Sequence, residues 1–291
     1  MLRGTITALV TPFDANGGID EKALRRLVDF QIEEGIDGLL PCGTTGESPT
    51  LTYAEHNKVI DIVIDQANGR VPVIAGTGSN STQEAIDLTR HAKEAGADYS
   101  LQVAPYYNKP TQKGFFEHFL AIAEAVDIPL ILYNIPGRTG KNVETKTLLR
   151  LAEHKNIVAV KEASGDINQM MDVIQQRPEG FTVFSGDDNL TFPLIALGGD
   201  GIVSVASNII PREVCEMVDL ALEGEWVEAR RRHFRLLSFF KAMFIETNPI
   251  PVKTALAMKG MMQEVFRSPM CAMEPENRTR LEKVLHEYGL L

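Results

Sequence analysis

The chain has 291 residues, 44% of them hydrophobic and 23% charged, the balance of a globular protein with ample material for a core. Asp and Glu number 39 against 29 Lys and Arg, a formal net charge of −10, which argues against a general nucleic-acid binder or a binder of anionic membranes. Cys42, Cys215 and Cys271 are too scattered for a disulfide framework or a CxxC pair, and the N-terminus lacks an apolar leader, so a soluble cytoplasmic protein is expected.

Short apolar runs alternate with helical patterns along most of the chain. Ile6–Val10 is the first run, followed by a helical face of Leu24, Leu27 and Val28. Gly38–Pro41 comes next, then Thr52-Tyr53-Ala54-Glu55, a capping box opening a helix with Val59, Ile60, Val63 and Ile64 on one face. Val71–Ala75 precedes a second capping box, Ser81-Thr82-Gln83-Glu84. The remaining runs are Tyr99–Val103, Pro129–Tyr133, Ile157–Val160, Phe181–Phe184 and Ile202–Val205, after which Pro211 opens a helix carrying Val214, Met217 and Val218. Most are rich in Val, Ile and Leu without strict alternation, as parallel strands covered on both faces require.

Eight such strand–helix repeats predict an α/β fold, a (β/α)8 TIM barrel over residues 1–224. The alternative is a doubly wound open sheet. Residues 225–291 hold helical patterns only, including Leu281, Val284, Leu285 and Tyr288, with Asn248-Pro249-Ile250-Pro251 as a break between helices. They read as a C-terminal helical region.

Active sites of such barrels lie at the C-terminal ends of the strands, so position ranks the candidates. Lys161 follows Ile157-Val158-Ala159-Val160 and should project its amine into the barrel mouth. A desolvated lysine there is a nucleophile for a carbonyl; an ion pair with the adjacent Glu162 is the competing reading. Tyr133 ends the neighbouring strand as a proton carrier or simply as a strand residue. Thr44 and Thr45 sit on a glycine-flanked turn that suits a carboxylate or is turn chemistry alone. Arg138, beyond a Pro-Gly turn, offers a guanidinium to a carboxylate or to solvent.

Other chemistries lack support. The six histidines have no HxxxH or HExxH spacing, so no metal site is expected. Gly76-Thr77-Gly78-Ser79 lacks the third glycine of a dinucleotide loop, and Gly198-Gly199-Asp200-Gly201 falls at the bottom face, where it reads as a turn. Cys42 reads as a buried apolar thiol.

Gly43-Thr44-Thr45-Gly46-Glu47, Tyr133-Asn134-Ile135-Pro136-Gly137-Arg138-Thr139-Gly140 and Lys161-Glu162-Ala163-Ser164-Gly165 together resemble the pyruvate-dependent class I aldolase superfamily. Within it the chain resembles the dihydrodipicolinate synthase family over nearly its whole length. The resemblance implies condensation of pyruvate with L-aspartate 4-semialdehyde, through an imine on Lys161 and with no separate cofactor. Thr44 and Thr45 are then expected to hold the pyruvate carboxylate, and Tyr133 to move protons through Thr44 to Tyr107. In the family the residue matching Tyr107 enters a neighbouring subunit's site, which implies a homo-oligomer, usually a tetramer. Arg138 is expected to meet the semialdehyde carboxylate, while Gly186 and the Val203 carbonyl line the pocket. Ser48, His56, Asn80, Glu84 and Tyr106 match a feedback site for L-lysine, with departures at Pro49 and Tyr53. Relatives that act on sialate or 2-keto-3-deoxy sugar acids share the lysine and tyrosine, so Thr44 and Arg138 are the discriminators. A silent keto-acid-binding barrel is the non-enzymatic alternative.

Overall fold

In the computed structural model, which describes residues 2–291, eight strands form one parallel sheet. They are β1 (Gly4–Ala8), β2 (Gly38–Leu40), β3 (Ile74–Gly76), β4 (Tyr99–Val103), β5 (Leu130–Asn134), β6 (Ile157–Glu162), β7 (Thr182–Ser185) and β8 (Gly201–Ser204). Hydrogen-bonded order runs β2-β1-β8-β7-β6-β5-β4-β3. A parallel bridge between Leu39 and Val73 joins the two outer strands, with Leu39 N–H donating to the Pro72 carbonyl at 3.0 Å and Gly76 N–H to that of Pro41 at 3.0 Å. The sheet is therefore a closed barrel, and the open-sheet alternative falls.

All eight runs become strands, with ends displaced by at most three residues and with β4 coinciding with its run. The largest displacement is in β3, expected at Val71–Ala75 and found at Ile74–Gly76. Pro72 has no N–H to give the ladder, so the paired stretch begins after it. The interior of the barrel is filled by Ile6, Ala8, Leu40, Ile74, Leu101, Ile131, Tyr133, Ala159, Phe184 and Val203. Successive strand residues alternate between this interior and the helix-facing layer outside.

The helical faces read from periodicity are buried as expected: Leu24, Leu27 and Val28 on Glu21–Glu33, and Val59, Ile60 and Val63 on Tyr53–Ala67. The capping box at Thr52 and Glu55 forms in both directions. At Ser81 only half of it forms: the serine hydroxyl accepts from the Glu84 N–H, while the Glu84 carboxylate turns away to the hydroxyls of Ser79 and Tyr53. Two hydroxyl donors outcompete one backbone amide for that carboxylate.

After the eighth strand the chain continues in helices only. Pro211–Leu222 is followed by Trp226–Ala242, Ile250–Met258 and Pro275–Glu287, and Leu281 and Leu285 of the last are fully buried. The turn at Asn248 and Pro249 divides two of these helices, as the prolines indicate. No helix among the described residues is long and apolar enough to cross a membrane.

Candidate active site

A cavity of about 690 Å³ opens at the C-terminal ends of the strands. Its floor is set by strand register. Tyr133 of β5 is paired with Lys161 of β6, both in the inward phase of their strands, so the two side chains emerge side by side. Lys161 is 6% exposed, and its Nζ lies 4.1 Å from the centroid of the Tyr133 ring.

Lys161 has no ion pair among the described residues. Its sequence neighbour Glu162 points to the opposite face of the sheet, where it accepts from Ser164 N–H at 2.7 Å, Asn134 Nδ2 at 3.2 Å and Gln169 Nε2 at 3.3 Å. Strand alternation thus removes the ion pair that adjacency suggested. Burial pushes the Lys161 ammonium down to about 7, against a smaller upward pull from Asp188 and Asp187 and a downward push from Arg138. An appreciable fraction of this amine is neutral at physiological pH. Burial moves the Tyr133 phenol upward, and the charge of Arg138 opposes that shift.

Gly186, at the exit of β7, makes room for the lysine. A Cβ built there falls 2.7 Å from the Ala163 Cβ and 3.1 Å from the Lys161 Cε. Next to it, the carboxylate of Asp188 is fully buried and accepts from the Ser204 hydroxyl, from Val205 N–H at 3.1 Å and from Ala206 N–H at 3.2 Å. Burial raises it to about 6. Asp187 lines the cavity itself, and burial raises its carboxyl, opposed by the charge of Lys161.

Thr44 and Thr45 enter from the turn after β2. Thr45 Oγ1 accepts from Asn248 Nδ2 at 2.9 Å, and the Asn248 carbonyl accepts from Arg138 Nη2 at 3.2 Å. One asparagine from the C-terminal helical region therefore ties the threonine turn to the arginine. Its Oδ1 is buried without a partner.

Lys161, Tyr133, Thr44, Thr45, Arg138 and Gly186 meet on this one cavity, as expected. The Val203 side chain packs in the barrel interior below, and Val205, just beyond the end of β8, lines the cavity. Tyr107 lies outside it, 90% exposed and in a left-handed conformation with φ 70°. Ser48, His56, Glu84 and Tyr106 line an arm of the same cavity together with Pro49 and Tyr53. Asn80 is behind that arm, donating to the Tyr106 carbonyl at 3.3 Å. His56 Nε2 donates to the Gly76 carbonyl at 2.9 Å, and burial lowers its pKa.

The Gly76–Ser79 stretch is no dinucleotide loop. A Cβ at Gly78 falls 2.2 Å from the Val103 N, so this glycine permits close backbone approach to β4. Cys42 is buried and desolvation raises its thiol, in keeping with an inert packing role. Among the described residues no group of three or more His, Cys, Asp or Glu side chains is arranged to hold a metal. Asp187, Asn248 and Phe244 were not singled out from the sequence as cavity residues, though all three line it. Asp187 follows Gly186 directly at a strand exit, and that position was the available signal.

A closed parallel barrel with a desolvated lysine at the C-terminal mouth defines a (β/α)8-barrel enzyme. The model of the Dihydrodipicolinate synthetase family matches residues 1–288, and the chain belongs to that family. It is 56% identical to the 4-hydroxy-tetrahydrodipicolinate synthase of Pelobacter propionicus over 291 residues, covering 100% of both chains. The dihydrodipicolinate synthase of Acinetobacter baumannii, described as complexed with pyruvate, superposes with a TM-score of 0.98 at 44% identity, covering 100% of each chain. That of Cyanidioschyzon merolae, described with lysine bound, gives 0.97 at 43% identity, covering 100% of this chain and 99% of the other.

Proposed function

We propose that this enzyme, a lyase, condenses pyruvate with L-aspartate 4-semialdehyde to give 4-hydroxy-tetrahydrodipicolinate, on the diaminopimelate route to lysine. The observation that carries the reading is Lys161, a buried amine without an ion partner among the described residues, beside a buried tyrosine and facing a cavity that also holds Arg138. The neutral amine adds to the keto carbon of pyruvate, and the keto oxygen leaves as water. The resulting iminium accepts electrons when a methyl proton leaves, which yields an enamine with no cofactor beyond the lysine. The enamine carbon then bonds to the aldehyde carbon, whose oxygen takes a proton. Finally the substrate's own amine attacks the imine carbon, closes the ring and releases Lys161.

In this scheme Thr44 and Thr45 bind the pyruvate carboxylate and Tyr133 carries protons at the reacting oxygens. Arg138 receives the carboxylate of the semialdehyde by a charge-assisted contact. Gly186 keeps the lysine's path clear. The Val203 carbonyl is assigned to the pocket by family resemblance, and Val205, just beyond the end of β8, joins it on the cavity wall. Residues 1–224 supply the catalytic barrel, and residues 225–291 the helical region that reaches back to it through Asn248.

The enzyme is read as a cytoplasmic homo-oligomer, a tetramer by family resemblance. Tyr107, displayed on a loop rather than folded into its own cavity, then completes the proton relay in a neighbouring subunit. A row of exposed apolar side chains, Trp226, Val227 and Phe234 on one helix, gives a second copy apolar surface to cover. L-lysine is assigned to the cavity arm at Ser48, His56, Glu84 and Tyr106, with Asn80 behind it. Glu84 there already accepts from Tyr53 and Ser79, so the ligand ammonium has to share the carboxylate with two hydroxyls. Inhibition is therefore expected to be weak, and Tyr53→Phe to strengthen it in a lysine titration.

The deciding assay is pyruvate consumption with the semialdehyde or with N-acetylmannosamine as acceptor, and with Lys161→Ala as the blank. Turnover with the semialdehyde alone is the expected result. Turnover only with the sugar would leave the lysine chemistry standing and overturn the substrate. Arg138→Ala should weaken use of the semialdehyde by about tenfold or more in kcat/KM while pyruvate is still trapped on Lys161 by borohydride.

A further inference from the structure

Beyond the cavity lies a second buried lysine. Lys253, on the helix Ile250–Met258, pairs with the carboxylate of Glu47, and their side chains are 0% and 1% exposed. Nζ also donates to the Val265 carbonyl at 2.8 Å and lies 4.3 Å from the centroid of the Phe13 ring. The other oxygen of Glu47 accepts from Arg267 N–H at 3.2 Å. Water does not reach the pair, so no solvent molecule can take over the role of the ammonium.

Glu47 closes the turn that carries Thr44 and Thr45. Its N–H donates to the Thr44 carbonyl at 3.2 Å, and its own carbonyl accepts from Thr50 N–H at 3.0 Å. Its backbone is left-handed, with φ 53°, a conformation an acidic residue adopts only when its surroundings over-determine it. The side chain supplies that determination. One residue earlier the Gly46 carbonyl accepts from Thr11 Oγ1 at 2.7 Å, which holds the same turn from the barrel side. Five residues before Lys253, Asn248 donates to Thr45 itself.

We propose that Lys253 is a positioning residue for pyruvate: by holding the Glu47 carboxylate it fixes the turn that presents Thr44 and Thr45 to the cavity. The inference rests on those threonines binding the pyruvate carboxylate. A fully buried ion pair adds little net stability over an apolar pair of the same volume, because desolvation offsets the attraction. What it adds is a fixed direction, here applied at the end of a strained turn. Lys253 touches no reacting atom and acts through Glu47.

The test measures half-saturation by pyruvate, both in steady-state turnover and in borohydride trapping on Lys161. Lys253→Met should raise KM for pyruvate by on the order of tenfold, the equivalent of about one hydrogen bond to the carboxylate, while kcat falls by less than about threefold. Because that variant buries an unpaired carboxylate, the double variant Glu47→Gln with Lys253→Met is made alongside it. It restores neutrality and folding but not the tether, so the raised KM should persist. Glu47→Gln alone keeps an acceptor for Lys253 but leaves its ammonium without a counter-charge, so where a urea melt shows it folded its KM should fall between those of the parent and Lys253→Met. A folded double variant with unaltered pyruvate half-saturation would reduce the pair to a structural role. Absence of trapping in the parent enzyme would instead remove the pyruvate site, and the positioning role with it.

Discussion

Two lysines are buried in this protein, and they meet the cost of desolvation in opposite ways. Lys253 keeps its proton company: a carboxylate, a backbone carbonyl and the face of Phe13 surround the ammonium. Burial lowers its pKa, but Glu47 opposes the shift. Lys161 lies in a cavity wall with an aromatic ring at 4.1 Å and no ion partner among the described residues. Of the two acids whose charge acts on it, Asp188 is tied to Ser204 and two backbone amides, while Asp187 lines the cavity. The same residue type is thus a fixed charge in one place and, in the proposed reaction, the nucleophile in the other. The difference lies in what lines the last few ångströms.

The sharpest way to break that comparison is to remove each lysine. Lys161→Ala should abolish imine formation and cut turnover by roughly four orders of magnitude or more, measured by pyruvate consumption. No activity loss of that size is expected at Lys253, where the effect falls on stability and pyruvate binding. Lys253→Met strands the buried Glu47 carboxylate and should lower unfolding stability by about 3–5 kcal/mol in a urea melt at pH 7.

Lys161→Met should act in the opposite direction. The folded-state pKa of Lys161 lies near 7, below the ordinary value of 10.5, so between those limits the unfolded chain binds the extra proton. That linkage lowers the parent's stability at and below pH 7 and relaxes as pH rises toward 10.5. Replacing the amine by an apolar chain should therefore stabilise the fold by on the order of 2 kcal/mol at pH 7. The gain should vanish by about pH 10.5, where the unfolded lysine is neutral as well. Matching signs for the two methionine variants would undo the distinction between the lysines.

A smaller perturbation leaves the lysine in place and moves it. Gly186→Ala puts a methyl 3.1 Å from the Lys161 Cε and 2.7 Å from the Ala163 Cβ, so the amine must shift. A displacement of that kind is expected to lower kcat by about a hundredfold, with the thermal midpoint changed by only a few degrees. Preserved kcat would mean that the lysine tolerates a looser setting than the comparison requires.

Much of this was legible in the sequence, and the unread part has a common cause. The eight apolar runs revealed the strands because a parallel sheet covered on both faces needs continuous Val, Ile and Leu. Lys161 stood out as a charge at the end of such a run. Its lack of a partner did not, because adjacency to Glu162 says nothing until strand alternation assigns the two residues to opposite faces. Lys253 and Glu47 are 206 residues apart, and no local spacing links them. A lone charge within the apolar stretch Ile250-Pro251-Val252-Lys253-Thr254-Ala255-Leu256 was the signal that a buried partner had to exist. The half-formed capping box at Ser81 has the same origin, since Tyr53 reaches Glu84 from another helix. Local rules located elements and candidates. Long-range partners decided what each candidate is.

Burial lowers the Lys161 ammonium to about 7, so imine formation should carry that pKa in its pH dependence. Pyruvate would be trapped on the enzyme by excess cyanoborohydride at a series of pH values, with the adduct located by mass spectrometry. The trapping rate should rise with pH through an apparent pKa of about 7, with the adduct at Lys161. A rate still climbing toward the ordinary lysine value of 10.5, or an adduct at another residue, would contradict that expectation.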